Sequence, residues 1–185
     1  MGCAKVTLNK PIYLGAAILD KSKLSIYRFH YDHMLPSYGP ERCKLLFTDT
    51  DSLCYHVETE DAYKDMLEAK DEYDISVFPK EHFLHSNHNK GVLGVMKDEF
   101  KGEPVTSFRG ARAKCYAIAT KEDLEKRAKG VPRGVVKSHL TFEHYDLCVR
   151  ENSIYNVQFV SLRSREHIIT TDLVRKEALS AFDDK

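Results

Sequence analysis

Over residues 14–34, apolar side chains recur at mixed three- and four-residue steps: Ala16, Ala17, Leu19, Leu24, Ile26, Tyr27, Tyr31 and Met34. This is the spacing of one helical face, so the pattern predicts a long helix over 14–34 with that face buried. Residues 11–13 form an extended lead-in, and Pro36, Gly39 and Pro40 stop the helix. The period then changes to two. Lys44-Leu45-Leu46-Phe47 runs into Thr48-Asp49-Thr50-Asp51, after which Leu53, Tyr55 and Val57 alternate with Ser52, Cys54 and His56. Two such runs with a short polar link predict a β-hairpin. Asp and Thr suit its tip, because short polar side chains bond their own backbone there.

Thr59 caps a predicted helix over 60–70, with Tyr63, Met66 and Leu67 as its apolar face and acids in its first turn. Residues 73–90 lack periodicity and carry Pro79, which reads as a loop. Strands are predicted over 92–100, 105–108 and 113–119, the first two separated by a turn at Lys101-Gly102-Glu103-Pro104. In the last strand Lys114, Tyr116 and Ile118 alternate to one side, with Arg112 on that face too, and Cys115 and Ala117 to the other. A basic helical turn is predicted over 121–129, closed by Gly130 and Pro132. Ser138 or Thr141 begins a further helix carrying Phe142, Tyr145, Leu147, Cys148 and Val149. Residues 155–162 and 167–174 alternate like the strands of a hairpin, joined by Arg163-Ser164-Arg165-Glu166. No repeat, low-complexity segment or Pro/Gly-rich linker interrupts the chain.

The composition fits this picture. With 185 residues, 42% hydrophobic and 30% charged, the chain reads as a soluble globular protein of one domain, or one and a small appendage. No apolar run approaches the roughly 20 residues that span a bilayer, so no membrane partner is expected. Met1-Gly2-Cys3-Ala4-Lys5 lacks a signal-peptide core, and the residue at position six fails the myristoylation pattern. Five cysteines without paired spacing read as reduced thiols of an intracellular protein.

The net charge is zero, yet it is unevenly spread. Over 49–74 there are ten acids against Lys64 and Lys70, and over 109–137 nine bases against Glu122, Asp123 and Glu125. An acidic tract followed by a basic one suggests a metal-binding edge and a polyanion-binding edge, although such runs also serve as solvated faces. In the acidic tract, Asp49 and Asp51 would offer oxygen ligands to a hard cation such as Mg²⁺ from a turn with rigid flanks. An EF-hand is excluded, because Cys54 stands where that loop needs glycine. His82, His85 and His88 stand three residues apart, but a zinc site would need three converging imidazoles and Asn87 and Asn89 argue for coil. In the basic tract, Lys114 beside Tyr116 suits a phosphate backbone and a packed sugar or base, against the commoner reading of a snorkelling lysine next to a half-buried tyrosine.

Phe47-Thr48-Asp49-Thr50-Asp51-Ser52 together with Lys114-Cys115-Tyr116 resembles motif C and the Lys-x-Tyr motif of family B DNA polymerases. The resemblance is closest to the protein-primed branch of phages, organellar plasmids and Polinton (Maverick) transposons. Asn9-Lys10-Pro11-Ile12-Tyr13-Leu14-Gly15 resembles the start of the palm helix in the Polinton-type enzymes. Val92-Leu93-Gly94 with Glu99, Ala128-Lys129-Gly130-Val131 and Leu140-Thr141-Phe142-Glu143 are similar to the segments around Lys-x-Tyr and the start of the thumb. The resemblance implies nucleotidyl transfer with two Mg²⁺ ions, Asp51 as the main metal ligand of this motif and Asp49 as a weaker or water-mediated one. It implies that Lys114 and Tyr116, with Arg112 beside them, hold the primer end through its backbone. It also implies a primer-template and dNTPs as partners, with a terminal protein primer and the N-terminal part of the polymerase, and a nuclear location for a eukaryotic transposon. The fold it implies is α+β: an antiparallel palm sheet with the motif C hairpin packed on the long helix over 1–136, and a small thumb-like subdomain over 137–185.

Departures from the family pattern limit this expectation. Nothing here matches motif A, with its Asp-x-x-Ser-Leu-Tyr-Pro setting, or motif B, and the exonuclease acids are absent; the segment begins after all of these. Ala111-Arg112-Ala113 stands in place of Leu-Arg-Pro. With one of its two anchoring aspartates missing, a two-metal centre should not form, so the chain by itself is expected not to synthesise DNA. The alternatives are a non-catalytic DNA-binding remnant and an Asp-x-Asp glycosyltransferase holding a metal–nucleotide sugar; the latter leaves Lys114 and Tyr116 unexplained.

Overall fold

The computed structural model describes residues 10–182. The readings placed on Met1, Gly2, Cys3 and Asn9 lie outside the described residues. The chain forms two compact units, one spanning Pro11–Pro104 and one formed from Val105 onward. Secondary structure is mixed, with a long helix and only antiparallel sheets, as an α+β reading requires. The strands make three separate small sheets, not one continuous palm sheet. Among the described residues, no helix is long and apolar enough to cross a membrane.

The first unit begins with α1 (Ile12–Arg28), a π-helical segment (Phe29–Met34) and α2 (Leu35–Arg42). Pro36 does not stop the helix. It has no N–H to give, and the turn before it widens so that Leu35 N reaches back five residues to His30 O. The break comes at Gly39, whose backbone (φ 76°, ψ 158°) is non-helical. Ile26 and Met34 of the expected apolar face are buried, joined by Phe29. Ala16, Ala17, Leu19, Leu24, Tyr27 and Tyr31 are exposed, which corrects the expected buried face. The reason is that Ile12, Tyr13, Leu14 and Ile18 make the first half of α1 apolar on every side, and the whole stretch 11–21 lies in solvent. A period of 3.6 cannot tell a face that meets this chain's core from one that meets nothing here.

Next come β1 (Cys43–Asp49) and β2 (Ser52–Val57), paired antiparallel with a bulge between Leu45 and Phe47. Leu53, Tyr55 and Val57 face the core formed by Phe29, Met34, Cys43, Tyr73, Ile75, Phe78 and Leu84, as their alternation requires. The helix α3 (Ala62–Glu68) is capped by Asp61, not Thr59. One Asp61 carboxylate oxygen accepts from Tyr63 N and Lys64 N at 3.0 and 3.2 Å, while Thr59 Oγ1 donates instead to Asp65 Oδ2 at 2.6 Å. The loop over 73–90 supplies four of the core residues. The strand expected over 92–100 does not form. Left-handed Gly91 (φ 70°) and Gly94 (φ 92°) turn the chain, and only Met96 keeps a bridge to Tyr73.

The second unit opens with a sheet of β3 (Ser107–Arg112), β4 (Cys115–Ala119) and β5 (Leu124–Arg127), in that order. The helical turn expected over 121–129 is therefore a strand. Cys115, Tyr116, Ala117 and Ile118 are all buried, so β4 is covered on both faces and needs a hydrogen-bonding partner on each edge. That demand overrides the helical propensity of Leu124-Glu125-Lys126-Arg127. Two helices follow, α4 (Arg133–His139) and α5 (Phe142–Glu151), then the hairpin of β6 (Tyr155–Arg165) and β7 (Ile168–Leu179). Thr141 caps α5 in a reciprocal box with His144. The turn of the last hairpin is the pair Glu166 and His167 (φ 50° and 65°), a two-residue turn tighter than the expected four-residue link.

Tyr145 and Cys148 of α5, Val136 and Leu140, Val157, Ala178 and Leu179 share one core with Cys115 and Ala117 of β4. By contacts, the chain divides into its two compact units at Pro104/Val105. The stretch from 137 onward packs against the β3–β5 sheet through that core.

Candidate functional site

The β1–β2 hairpin carries the acidic pair. Asp49 ends β1, half-buried and paired across the ladder with Ser52, and Asp51 stands exposed in the two-residue turn. Three bonds fold the tip onto Asp49: Asp51 N donates to Asp49 O at 2.7 Å, Ser52 Oγ to the same oxygen at 3.1 Å, and Thr50 Oγ1 to Asp49 Oδ1 at 3.3 Å. Thr50 lies in the left-handed region (φ 60°), the place in such a turn where glycine is usual. A β-branched residue there is strained by about 1–2 kcal/mol, and such strain gathers at functional turns.

The hairpin is held to the π-helical segment by Tyr55. Its ring stacks on His30 (centroids 5.8 Å apart, planes 15°), and its hydroxyl bonds His30 Nδ1 at 3.0 Å. Burial pushes the Tyr55 phenol above its ordinary range and raises the Cys54 thiol to about 11, so both are neutral near pH 7. A second clasp joins His33 Nε2 to Tyr73 OH at 3.1 Å. The tip thus stands on a packed base and offers hard oxygen donors. Among the described residues there is no group of three or more His, Cys, Asp or Glu placed to hold a metal ion.

The three histidines of the loop do not converge. His82 stacks on Phe78 (4.8 Å), His85 Nδ1 bonds Phe78 O at 2.9 Å, and His88 Nε2 pairs with Asp71 at 2.8 Å. Each is used in holding the loop.

Lys114, Tyr116 and Arg112 belong to the other unit, and they do not share a strand face. Arg112 pairs with Cys115, so Ala113 and Lys114 form the β3–β4 turn, with Lys114 left-handed (φ 59°) and exposed. Tyr116 is 8% exposed, inside the sheet. Arg112 sits 3.7 Å from Glu177 and donates to Phe182 O at 3.0 Å, while its Nε is buried without a hydrogen-bond partner among the described residues. The expected alternation fails because the chain reverses within it. Lys114 is the more exposed of the two cations of this group.

Two features of this unit went unread in the sequence. Asp146 of α5 takes both Arg109 Nε and Arg150 Nε, the latter at 3.1 Å, and the hydrogen bond from Arg109 holds its carboxyl below the usual carboxylate range. A groove also lies where α4 meets α5 beside β6, lined by His139, His144, Tyr155, Asn156 and Gln158 with Leu140 and Val157. Its only local signal was a pair of amides two residues apart on a strand. Compared with protein families, curated proteins and solved structures, the chain has no match.

Proposed function

We propose that this chain is the C-terminal palm and thumb portion of a family B DNA polymerase of the protein-primed branch, acting on primer-template DNA and dNTPs. One observation carries the reading. The Thr48-Asp49-Thr50-Asp51-Ser52 string lies on a strand–turn–strand hairpin whose two acids are one residue apart and whose intervening threonine is held left-handed. A solvated acidic corner has no need of that strain or of the packed base beneath it. The exposed apolar first half of α1 further supports a larger protein, since a helix apolar on every side belongs in an interior.

The donor set suits Mg²⁺: Asp51 and Asp49 would hold the ion, and nucleotide phosphates and water would complete its octahedron. When bound, the metal supplies activation of the primer hydroxyl and neutralisation of the leaving pyrophosphate. The chain's own part is to fix the two carboxylates on a rigid turn. Lys114, exposed in its turn, would contribute a sequence-independent phosphate contact. Motif A and motif B have no counterpart here, so the chain alone should be inactive.

The test uses Mn²⁺ as a paramagnetic probe. Broadening of the amide signals of residues 49–52, lost in Asp51→Asn, supports the reading. Primer extension with Mg²⁺ and four dNTPs should give no product, and robust incorporation that disappears in Asp51→Ala overturns the fragment reading. Tighter binding of a UDP-sugar than of primed DNA overturns the polymerase reading and favours the glycosyltransferase.

A further inference from the structure

The groove between the α4–α5 junction and β6 is open to solvent and offers about 530 Å³, within the usual range for a small-ligand site. Its hydrogen-bonding character follows from the bonds its rings already make. Thr141 N donates to His144 Nδ1 at 3.2 Å, so the proton of that neutral ring is on Nε2, a donor. Ser138 Oγ donates to Gly134 O at 2.9 Å and therefore accepts from His139 Nδ1 at 2.8 Å. His139 Nε2 is then an acceptor. Asn156 and Gln158 each add an amide with both characters, and among the described residues neither side chain has a hydrogen-bond partner. His144 and Tyr155 set two aromatic rings 4.6 Å apart, tilted by 39°, and a third ring can stack on one of their faces.

The surroundings are cationic. Arg175 lies directly across the ladder from Gln158, exposed, and makes no ion pair among the described residues. Lys137 is exposed at the end of α4. The junction itself is fixed by Lys126 Nζ, which donates to Lys137 O at 3.2 Å and also to Leu140 O.

We propose that this groove is a nucleotide-binding site that reads a nucleobase edge through Asn156 and Gln158, stacks the base on His144 and Tyr155, and meets its phosphate with Arg175 and Lys137. Amide side chains match the paired donor and acceptor of a base edge, as single-strand readers use them. An extended peptide added to the free edge of β6 fits less well. Strand addition draws specificity from apolar side-chain pockets, and the two aliphatic residues here, Leu140 and Val157, are 3% and 6% exposed and present none. The site stands apart from the polymerase reading, which calls only for backbone contacts blind to sequence, and it shares no residue with the acidic hairpin.

The test measures fluorescence anisotropy of the full chain with labelled single-stranded DNA of mixed sequence, the same strand made abasic, and dAMP or dGMP as competitors. The Asn156→Ala, Gln158→Ala double variant is exposed and should keep its melting temperature. Two lost base contacts at about 1–3 kcal/mol each predict a loss of affinity of roughly 30-fold or more for the base-bearing strand, with the abasic strand unchanged. Competition by a mononucleotide at millimolar concentration assigns the site to free nucleotide, and competition only by strands assigns it to single-stranded nucleic acid; both support the proposal. Equal affinity for abasic and base-bearing strands overturns it. So does an unaltered double variant, or displacement by an extended peptide but by no nucleotide.

Discussion

The first half of α1 should drive this chain into self-association, and three side chains suffice to test it. Ile12, Ile18 and Leu19 are 83%, 67% and 55% exposed on a stretch that is solvent-facing throughout. Burying a whole Ile or Leu side chain is worth about 1.5–3 kcal/mol, so covering these three is worth on the order of 4–5 kcal/mol per chain before association entropy is subtracted. The substitution set Ile12→Lys, Ile18→Glu, Leu19→Lys removes that term. At 1.4 kcal/mol per tenfold, and allowing that half is lost to ordering, the association constant should fall by at least about 30-fold. Sedimentation velocity over a hundredfold range of concentration reads this directly. Because these side chains touch no core of this chain, thermal stability should change by less than about 0.5 kcal/mol. A triple variant that associates as strongly as the parent, or one that unfolds, would refute the claim that α1 projects an unpartnered apolar surface.

Two further outcomes follow from the cores. Tyr145 is fully buried and donates to Arg127 O at 3.0 Å, so Tyr145→Phe should cost about 1–2 kcal/mol by leaving that carbonyl unpaired, read as a lower urea midpoint with an unchanged slope. Burial raises the phenols of Tyr55, Tyr73 and Tyr145 above their ordinary value near 10. A raised folded-state value stabilises fully below the unfolded value and is lost as pH climbs above it; burial raises the thiols of Cys43, Cys54, Cys115 and Cys148 in the same way, so stability should begin to fall above about pH 8.5 and fall further beyond about pH 10. The part of the tyrosinate absorbance at 295 nm that comes from these buried phenols should then rise in step with loss of far-ultraviolet dichroism. Ionisation of all ten tyrosines without unfolding would contradict the burial.

Much of the local architecture was legible in the residues. The alternation Leu53, Tyr55, Val57 predicted the buried face of β2, and the run 155–174 predicted the last hairpin, because a strand's period reports which side meets a core whenever one side does. The sequence offered Ser138 or Thr141 as the start of α5, and Thr141 caps it because the box with His144 closes within four residues. Thr59 was misread because Asp61, two residues on, offers a carboxylate that takes two N–H groups at once. The strand over 92–100 failed for a similar local reason, the left-handed glycines at 91 and 94.

The acidic pair is the part of the candidate site that sequence alone determined. Residues 49 and 51 are neighbours in any two-residue turn, so their proximity needs no tertiary contact. The basic group needed one. Whether Arg112, Lys114 and Tyr116 share a face depends on where the chain reverses, and that is decided by β4 requiring a partner on each edge, one of them from a segment with helical propensity. The groove depends on it still more, since His139, His144, Asn156 and Gln158 come from three elements that meet only through the shared core of Leu140, Tyr145 and Val157. Chemistry held by neighbours in sequence is written in the residues themselves; chemistry assembled across elements is set by which apolar surfaces find each other, and only the packed structure states that.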